Sequence, residues 1–253
     1  MRKLFLLLSS VLILAGCAEQ YNIAGSSSVP CLDGRMLYLR VLPSEGVTTT
    51  YAATRCIDSC MIMHGRFNFE GDMDSAMMAV LHTGTQRVMP VVIENANLDV
   101  KVDHITPRVS GGPLNDKLYK FFQKKNRLDN ELWELQQRSI RMMSEGYPIV
   151  EVNRRMAKKT KQLAKRSDEL ETRFILENAD NVLGPGFFML LCSQYPTPIM
   201  TDQIKRIVDQ APLTFMQHPF VRHYVSEAQR RMQMQPADPG THMPKSTLAV
   251  DNP

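Results

Sequence analysis

The sequence has few of the residue patterns that accompany catalysis. It contains no Gly-x-Ser-x-Gly, His-Glu-x-x-His or P-loop pattern. His218 and His223 are five residues apart, so they do not share the helix face that two metal ligands on one helix would need. We therefore predict no catalytic residues, no metal site and no cofactor, which favours a non-enzymatic protein.

Strong charge of one sign and long apolar runs are also missing. The whole chain has a formal net charge of +4, and Arg2 and Lys3 carry half of it. A value so close to neutral argues against a nucleic-acid partner. The apolar run Leu4–Ile13 is far too short to cross a bilayer core of ~30 Å. The basic cluster at residues 154–166 is interpreted as a solvated helix face, because the acidic stretch SDELE follows it at once.

The first residues instead have the pattern of an export signal. Arg2 and Lys3 precede the short apolar run, and Leu14–Cys17 follow it. The sequence Leu-Ala-Gly-Cys resembles the lipobox of bacterial lipoproteins, and this resemblance implies cleavage before Cys17 and lipidation of its sulfur. The acyl chains would then hold the protein on a membrane without a transmembrane helix. No aspartate follows Cys17 directly, which favours the outer membrane, and we expect the protein to face the periplasm.

Residues 21–110 contain short segments with strand character. Several alternate apolar and polar residues, and turn sequences such as Asp33-Gly34 and Thr83-Gly84 separate them. Pro90 is compatible with an edge strand or a bulge. The pattern predicts a small antiparallel sandwich. The predicted strands are Arg35–Val41, Arg66–Gly71, Ser75–His82, Arg87–Glu94 and Asn97–Val102.

The period changes to helical after Gly111-Gly112-Pro113. A seam with four-three spacing, interrupted by Lys125, predicts a long helix from residue 114 to about 144. Gly146-Tyr147-Pro148 would end it, and a second helix is predicted at about 149–177. Shorter helices follow: an apolar, buried helix at 184–194, one at 201–210 with Thr201 as N-cap, and one at 218–232.

The predicted fold class is α+β. An N-terminal antiparallel β-sandwich is followed by a C-terminal helical domain with a long antiparallel helical hairpin. The predicted boundaries are 1–16 for the signal peptide, 17–20 for the lipidated N-terminus, 21–110 for the sandwich, 111–232 for the helical domain and 233–253 for a disordered tail.

Several short stretches together resemble a known family. They are YNIAGSSS, DGRMLYLR, IDS with HGRFNFEG, VMPVVIEN and VSGGPLNDKLYKF. The chain is similar over Tyr21–Met232 to lipoproteins with domain of unknown function 4369, a module of exported lipoproteins of gut-type Gram-negative bacteria. In many relatives this module precedes a thioredoxin-like domain of the thiol:disulfide interchange type. No Cys-x-x-Cys follows here, so we expect that domain to be absent. The resemblance implies an envelope location and an accessory module.

The stretch CIDSC raises the question of redox chemistry. The resembling family places Cys56–Cys60 in a strand, where four residues would separate the alpha carbons by ~13 Å. A disulfide tolerates at most ~7 Å, so the two should not form a redox couple. Cys31 could bridge to Cys56 or Cys60, since the compartment is oxidising. Buried free thiols, one structural disulfide and a reactive site all stay open, and Cys192 is expected to be a core residue.

Two functions follow from these patterns. The favoured one is a lipid-anchored, non-catalytic binding or scaffolding module of the cell envelope, with another envelope protein as its partner. The alternative is an accessory of periplasmic thiol-disulfide exchange that acts with a separate thioredoxin-like protein. An exposed thiol with a lowered pKa among Cys31, Cys56 and Cys60 would distinguish the second function from the first.

Overall fold

The computed structural model describes residues 19–41, 54–84 and 86–234. These residues form eight strands followed by six α-helices, which confirms the predicted α+β class with a β region ahead of a helical part. The strands are β1 (Glu19–Ser27), β2 (Met36–Val41), β3 (Arg55–Met61), β4 (Arg66–Met73), β5 (Met77–Thr83), β6 (Gln86–Ile93), β7 (Asn97–Val102) and β8 (Arg108–Ser110). The helices are α1 (Pro113–Ser144), α2 (Ile149–Leu176), α3 (Leu183–Cys192), α4 (Asp202–Gln210), α5 (Leu213–Gln217) and α6 (Pro219–Met234).

The strands form two four-stranded sheets. Their orders are β4-β1-β7-β8 and β3-β2-β5-β6. Every pair is antiparallel except β1 with β7, which is parallel. β1 lies between β4 and β7, and it runs antiparallel to β4 and parallel to β7. The antiparallel prediction therefore holds with this one exception.

Burial along the strands shows which faces are covered. β4 and β7 alternate exposed and buried residues, as expected for strands with one face in the core. In β5 six of the seven residues are buried, so both of its faces are covered. α3 supplies cover on one side, since a Cβ added to Gly186 would lie only 2.8 Å from Met78 of β5. The second sheet thus lies between other strands and the helices.

The predicted strands are all present, as β2, β4, β5, β6 and β7. β3 occurs where the family resemblance implied a strand. β6 is an edge strand, which accommodates the missing N–H of Pro90. β1, β8 and α5 were not predicted; β8 and α5 have only three and five residues, too few for a periodic pattern to be recognised.

α1 and α2 form the predicted helical hairpin. At 1.5 Å per residue, the 32 residues of α1 span ~48 Å. The turn after α1 is a Schellman motif, in which the N–H of Tyr147 donates to the carbonyl of Met142 and the N–H of Gly146 donates to that of Met143. Gly146 has φ +89°, a conformation that favours glycine. This motif fixes the path between the two helices.

The shorter helices agree with their predicted character. All ten residues of α3 are buried, as its apolar sequence indicates. The Thr201 hydroxyl accepts a hydrogen bond from the N–H of Ile204 at 3.2 Å, which confirms the N-cap of α4. Buried side chains from both sheets and from the helices form one continuous cluster. The boundary between a sandwich domain and a helical domain therefore stays a prediction.

The predicted features at the two ends of the chain lie wholly or partly outside the described residues. The signal peptide at 1–16 and Cys17 lie outside the described residues. Glu19 and Gln20, predicted to belong to the lipidated N-terminus, begin β1. α6 continues to Met234, and residues 235–253 of the predicted tail lie outside the described residues.

Candidate functional site

The four described cysteines are free thiols in different environments. Cys31 and Cys56 are exposed, Cys60 is half-buried and Cys192 is buried. Cys56 and Cys60 lie on the same strand, β3, with a register shift at Leu39/Arg40 of the neighbouring strand. The sequence-predicted candidates Cys31, Cys56 and Cys60 are therefore located on the β region, and the structure joins none of them by a disulfide.

The surroundings of Cys60 and Cys192 keep their thiols protonated. Burial raises the pKa of Cys60, although a hydrogen bond with the backbone of Asn68 opposes the rise. Full burial raises the pKa of Cys192 well above its usual range. A raised pKa lowers the thiolate fraction, and the thiolate is the nucleophile in disulfide exchange. Cys192 is the small core residue that the sequence predicts, and Cys60 has the opposite shift from a reactive cysteine.

A buried carboxylate meets the start of α1. Glu94 follows β6, and its Oε2 and Oε1 accept hydrogen bonds from the N–H groups of Leu114 (3.1 Å) and Asn115 (2.9 Å). These are free donors of the helix N-terminus, and the helix dipole also favours a negative charge here. A Cβ on Gly112 would overlap this carboxylate. Gly111-Gly112 therefore accommodates Glu94, which already fills the position that an external anion would need.

Asn115 completes this joint between β6 and α1. Its Oδ1 accepts the N–H of Val92 at 2.9 Å, and its Nδ2 donates to the carbonyl of Val92 at 2.7 Å and to Glu94 Oε1 at 2.8 Å. One turn later, the Tyr119 hydroxyl donates to the carbonyl of Pro90 at 2.7 Å. The side chains of α1 thus act as the missing neighbour strand at the outer edge of β6. The motif SGGPLND is structural.

A second cluster of buried polar side chains joins α1, α2 and α4. Lys125 Nζ lies 3.3 Å from Glu171 and 3.0 Å from Asp129. Gln203 Nε2 donates to Glu171 Oε2 at 2.9 Å. Burial alone would lower the pKa of Lys125, but the carboxylates of Glu171 and Asp129 outweigh it and raise that pKa. The polar residue in the predicted seam is therefore a cation paired across the base of the hairpin.

Beyond this base, the hairpin presents unusual side chains to solvent. Trp133 is 59% exposed and lies in an open groove of about 590 Å³ on the side of the hairpin. Glu131 bridges the two helices at this level, with Lys159 at 3.8 Å and Arg166 at 3.6 Å. The groove is lined by Glu131, Trp133, Glu134, Leu135, Gln137, Arg138, Arg141 and Lys159. An aromatic side chain among charged groups is typical of a binding surface.

Sequence reasoning treated residues 154–166 as a solvated face and did not single out Trp133. The chain has one tryptophan, and its place outside the apolar seam was the available signal. The pair Ile149-Val150 directly after Pro148 was another, because both residues are apolar but precede the apolar stripe of the second helix, which begins at Val152. Both signals depend on knowing where the hairpin stops packing against the core.

No group of three potential metal ligands occurs among residues 19–41, 54–84 and 86–234. In the same ranges no helix combines the length and apolar character needed to cross a bilayer. These are findings about the described residues alone.

The fold and its sites define an α+β protein in which paired sheets carry a rigidly joined helical hairpin with an exposed distal part. Residues 21–118, less than half of the chain, match the family described as Domain of unknown function (DUF4369). The match covers the β region from Tyr21 onward and ends at Leu118, between Asn115 and Tyr119 of the joint. It supports the expected resemblance for residues 21–118 of the wider range Tyr21–Met232. A search of the curated proteins gives no match.

Proposed function

We propose that this protein is a lipid-anchored, non-catalytic binding or scaffolding module of the cell envelope. Acyl chains on Cys17 would hold it at the outer membrane, facing the periplasm. The lipobox-like Leu14–Cys17 supports the anchor. Cys17 also precedes the start of β1 by only two residues, which span at most ~7 Å. An anchor at this position would hold the sheets close to the membrane surface.

The exposed Trp133 in its groove is the observation that carries the binding role. An exposed tryptophan leaves a large apolar area in contact with water. Protein interfaces concentrate their binding energy in residues such as tryptophan and arginine. Arg138 and Arg141 line the same groove, together with Leu135. The proposed partner at this groove is another envelope protein, held by Trp133 with charged residues around it.

Site-directed photo-crosslinking in intact cells tests the protein partner. A photoreactive residue at position 133 of the full-length chain should give an adduct with one identifiable envelope protein. The same residue at position 123 is the matched control, since Gln123 is exposed on the same helix and outside the groove. Equal adducts at both positions, or none at 133, would end the scaffolding proposal.

The anchor has its own test. Cells labelled with a radioactive fatty acid should label the parent chain and leave a Cys17→Ser variant unlabelled. The variant should also leave the membrane fraction. A variant that stays fully labelled would remove the anchor from the proposal without affecting the groove.

A role beside a thioredoxin-like protein is the second candidate. The observation in its favour is that Cys31 and Cys56 are both exposed and free, so a partner could reach them. Brief alkylation of the native protein near neutral pH, followed by mass spectrometry, should then label one of them quickly. The double variant Cys31→Ser, Cys56→Ser can be assayed for disulfide reductase activity together with a thioredoxin-like protein. The same activity as with the parent would exclude this role.

A further inference from the structure

The positive charge of the protein is concentrated at the end of the hairpin. Residues 138–161, the hairpin tip, contain seven basic and two acidic residues, a net charge of +5, whereas the whole chain has +4. The rest of the chain is therefore slightly acidic. A cationic end on a nearly neutral protein is attracted to a negatively charged surface.

The tip contains two arginines without an ionic partner in the part of the chain that the structure describes. A pocket of about 450 Å³ is lined by Arg138, Arg141 and Arg155, with Glu145 as its one acidic residue. Arg155 is engaged, because its Nε donates to Glu151 at 2.6 Å and its guanidinium lies 5.1 Å from the Tyr147 ring. Arg138 and Arg141 form no ion pair with any described residue. Their guanidinium groups can bind a phosphate, to which an arginine donates two parallel hydrogen bonds.

Exposed apolar side chains are concentrated in the same turn region as this pocket. Five of the twelve large apolar side chains that the described residues expose lie within residues 140–150. Ile149 and Val150 are 61% and 76% exposed, and Ile140, Met143 and Tyr147 accompany them. Such a cluster at the end of a rigid element indicates a surface that is covered in use.

We propose that the hairpin tip docks on an anionic phospholipid bilayer. Headgroup phosphates would bind Arg138 and Arg141, while Ile149 and Val150 enter the interfacial region and Tyr147 lies at its boundary. The combination of unpaired arginines with exposed aliphatic side chains favours a lipid surface over a folded partner, since arginine and lysine bury their stems in the interface and keep their charge at the phosphates. This contact does not involve the acyl chains on Cys17. It shares Arg138 and Arg141 with the Trp133 groove, whereas Ile149 and Val150 do not line that groove.

Vesicle binding tests this contact without the anchor. The polypeptide from Ala18 to Pro253 retains every described residue and lacks Cys17. It should sediment with vesicles of phosphatidylcholine containing phosphatidylglycerol, and not with phosphatidylcholine alone. High salt should weaken the binding, because exposed charges are screened. Trp133, near the tip, should shift its emission when the vesicles bind.

Three double variants locate the contact. Arg138→Gln with Arg141→Gln should weaken binding about 30-fold, as expected for removal of two charges near an anionic surface. Ile149→Ser with Val150→Ser should also weaken it, and this loss should persist at high salt. The matched control is Lys124→Gln with Arg127→Gln, because both residues are exposed on α1 outside the tip, and it should keep nearly full binding. Circular dichroism confirms that each variant is folded.

The outcomes separate this inference from the proposed function. Equal binding to both kinds of vesicle, equal loss in the control variant, or no binding at all would overturn lipid docking. A protein adduct at position 133 in cells, combined with no vesicle binding, would leave the scaffolding proposal intact. Vesicle binding that depends on the tip, without any protein adduct, would support lipid docking alone.

Discussion

Replacing Asn115 with leucine tests the joint between β6 and α1. The side chains are similar in size, so the change removes hydrogen bonds without opening a large cavity. The N–H and the carbonyl of Val92, which is fully buried, would both lose their partners. Each buried polar group left unsatisfied costs about 1–3 kcal/mol. The two together should lower the free energy of unfolding by about 4 kcal/mol, a large part of the 5–15 kcal/mol typical of a folded domain.

Equilibrium unfolding in urea measures this loss. Circular dichroism should show a lower midpoint for Asn115→Leu with an unchanged slope, which indicates a change in stability alone. Asn126→Leu is the matched control, because Asn126 is exposed on the same helix. Leucine is the better helix former, so the control should be neutral or slightly stabilised. The difference between the two variants then isolates the joint.

Hydrogen exchange gives a local readout of the same joint. In Asn115→Leu the amide of Val92 should exchange faster even under conditions where the whole protein stays folded, because the bond from that N–H to Asn115 is gone. Two results would refute the reasoning: a loss of less than about 1 kcal/mol, below the cost of a single buried unsatisfied group, or unchanged protection of Val92.

Three further predictions concern other parts of the chain. Lys125→Met leaves the buried Glu171 without its cation and should cost about 3–5 kcal/mol, most of which Lys125→Met with Glu171→Gln should recover in the same urea assay. Gly146→Ala should lower the stability in thermal unfolding by about 1–2 kcal/mol, because alanine is strained at φ +89°. An added Cβ meets no other atom, so the backbone conformation alone causes the loss, and a neutral result would refute this. Burial, aided by Arg40 and Arg87, lowers the pKa of His82 from 6.5 to about 4. The unfolded chain therefore binds more protons between these values, so the free energy of unfolding should fall as the pH drops from 6.5 toward 4. His82→Gln should lack this part of the pH dependence, and an identical pH profile would contradict the assignment.

Local patterns were enough to predict most of the fold. Alternation in β4 and β7, the seam of α1 and the cap at Thr201 each depend on residues close together in the sequence. β1 was missed because the residue that constrains its sequence is far away along the chain. A Cβ on Gly25 would overlap the ring of Phe67 in β4, so the strand needs glycine, a residue of low strand propensity, at this position. Pairing with β4 and β7 overrides that local preference.

The candidate sites were harder to predict for a related reason. Glu94 caps a helix that begins 19 residues later, and no local pattern connects the two. The change of period after Gly111-Gly112-Pro113 predicted a boundary at this place, but the carboxylate that requires Gly112 became visible only in three dimensions. The tip arginines and the exposed Ile149 and Val150 lie in different helices, so their proximity depends on the hairpin turn.

The joint also determines how the exposed hairpin is carried. The residues that match the family end at Leu118, yet α1 continues without interruption to Ser144. Glu94 and Asn115 hold the first turn of this helix against β6 through buried hydrogen bonds, and Lys125 pairs with Glu171 one and a half heptads later. A helix fixed at two levels behaves as a stiff arm. The direction of the Trp133 groove and of the tip is therefore set partly within the matched residues, at Glu94 and Asn115, and partly beyond them, at Lys125 and Glu171. In the proposed function, anchoring at Cys17 and docking at the tip would then orient the groove for its partner.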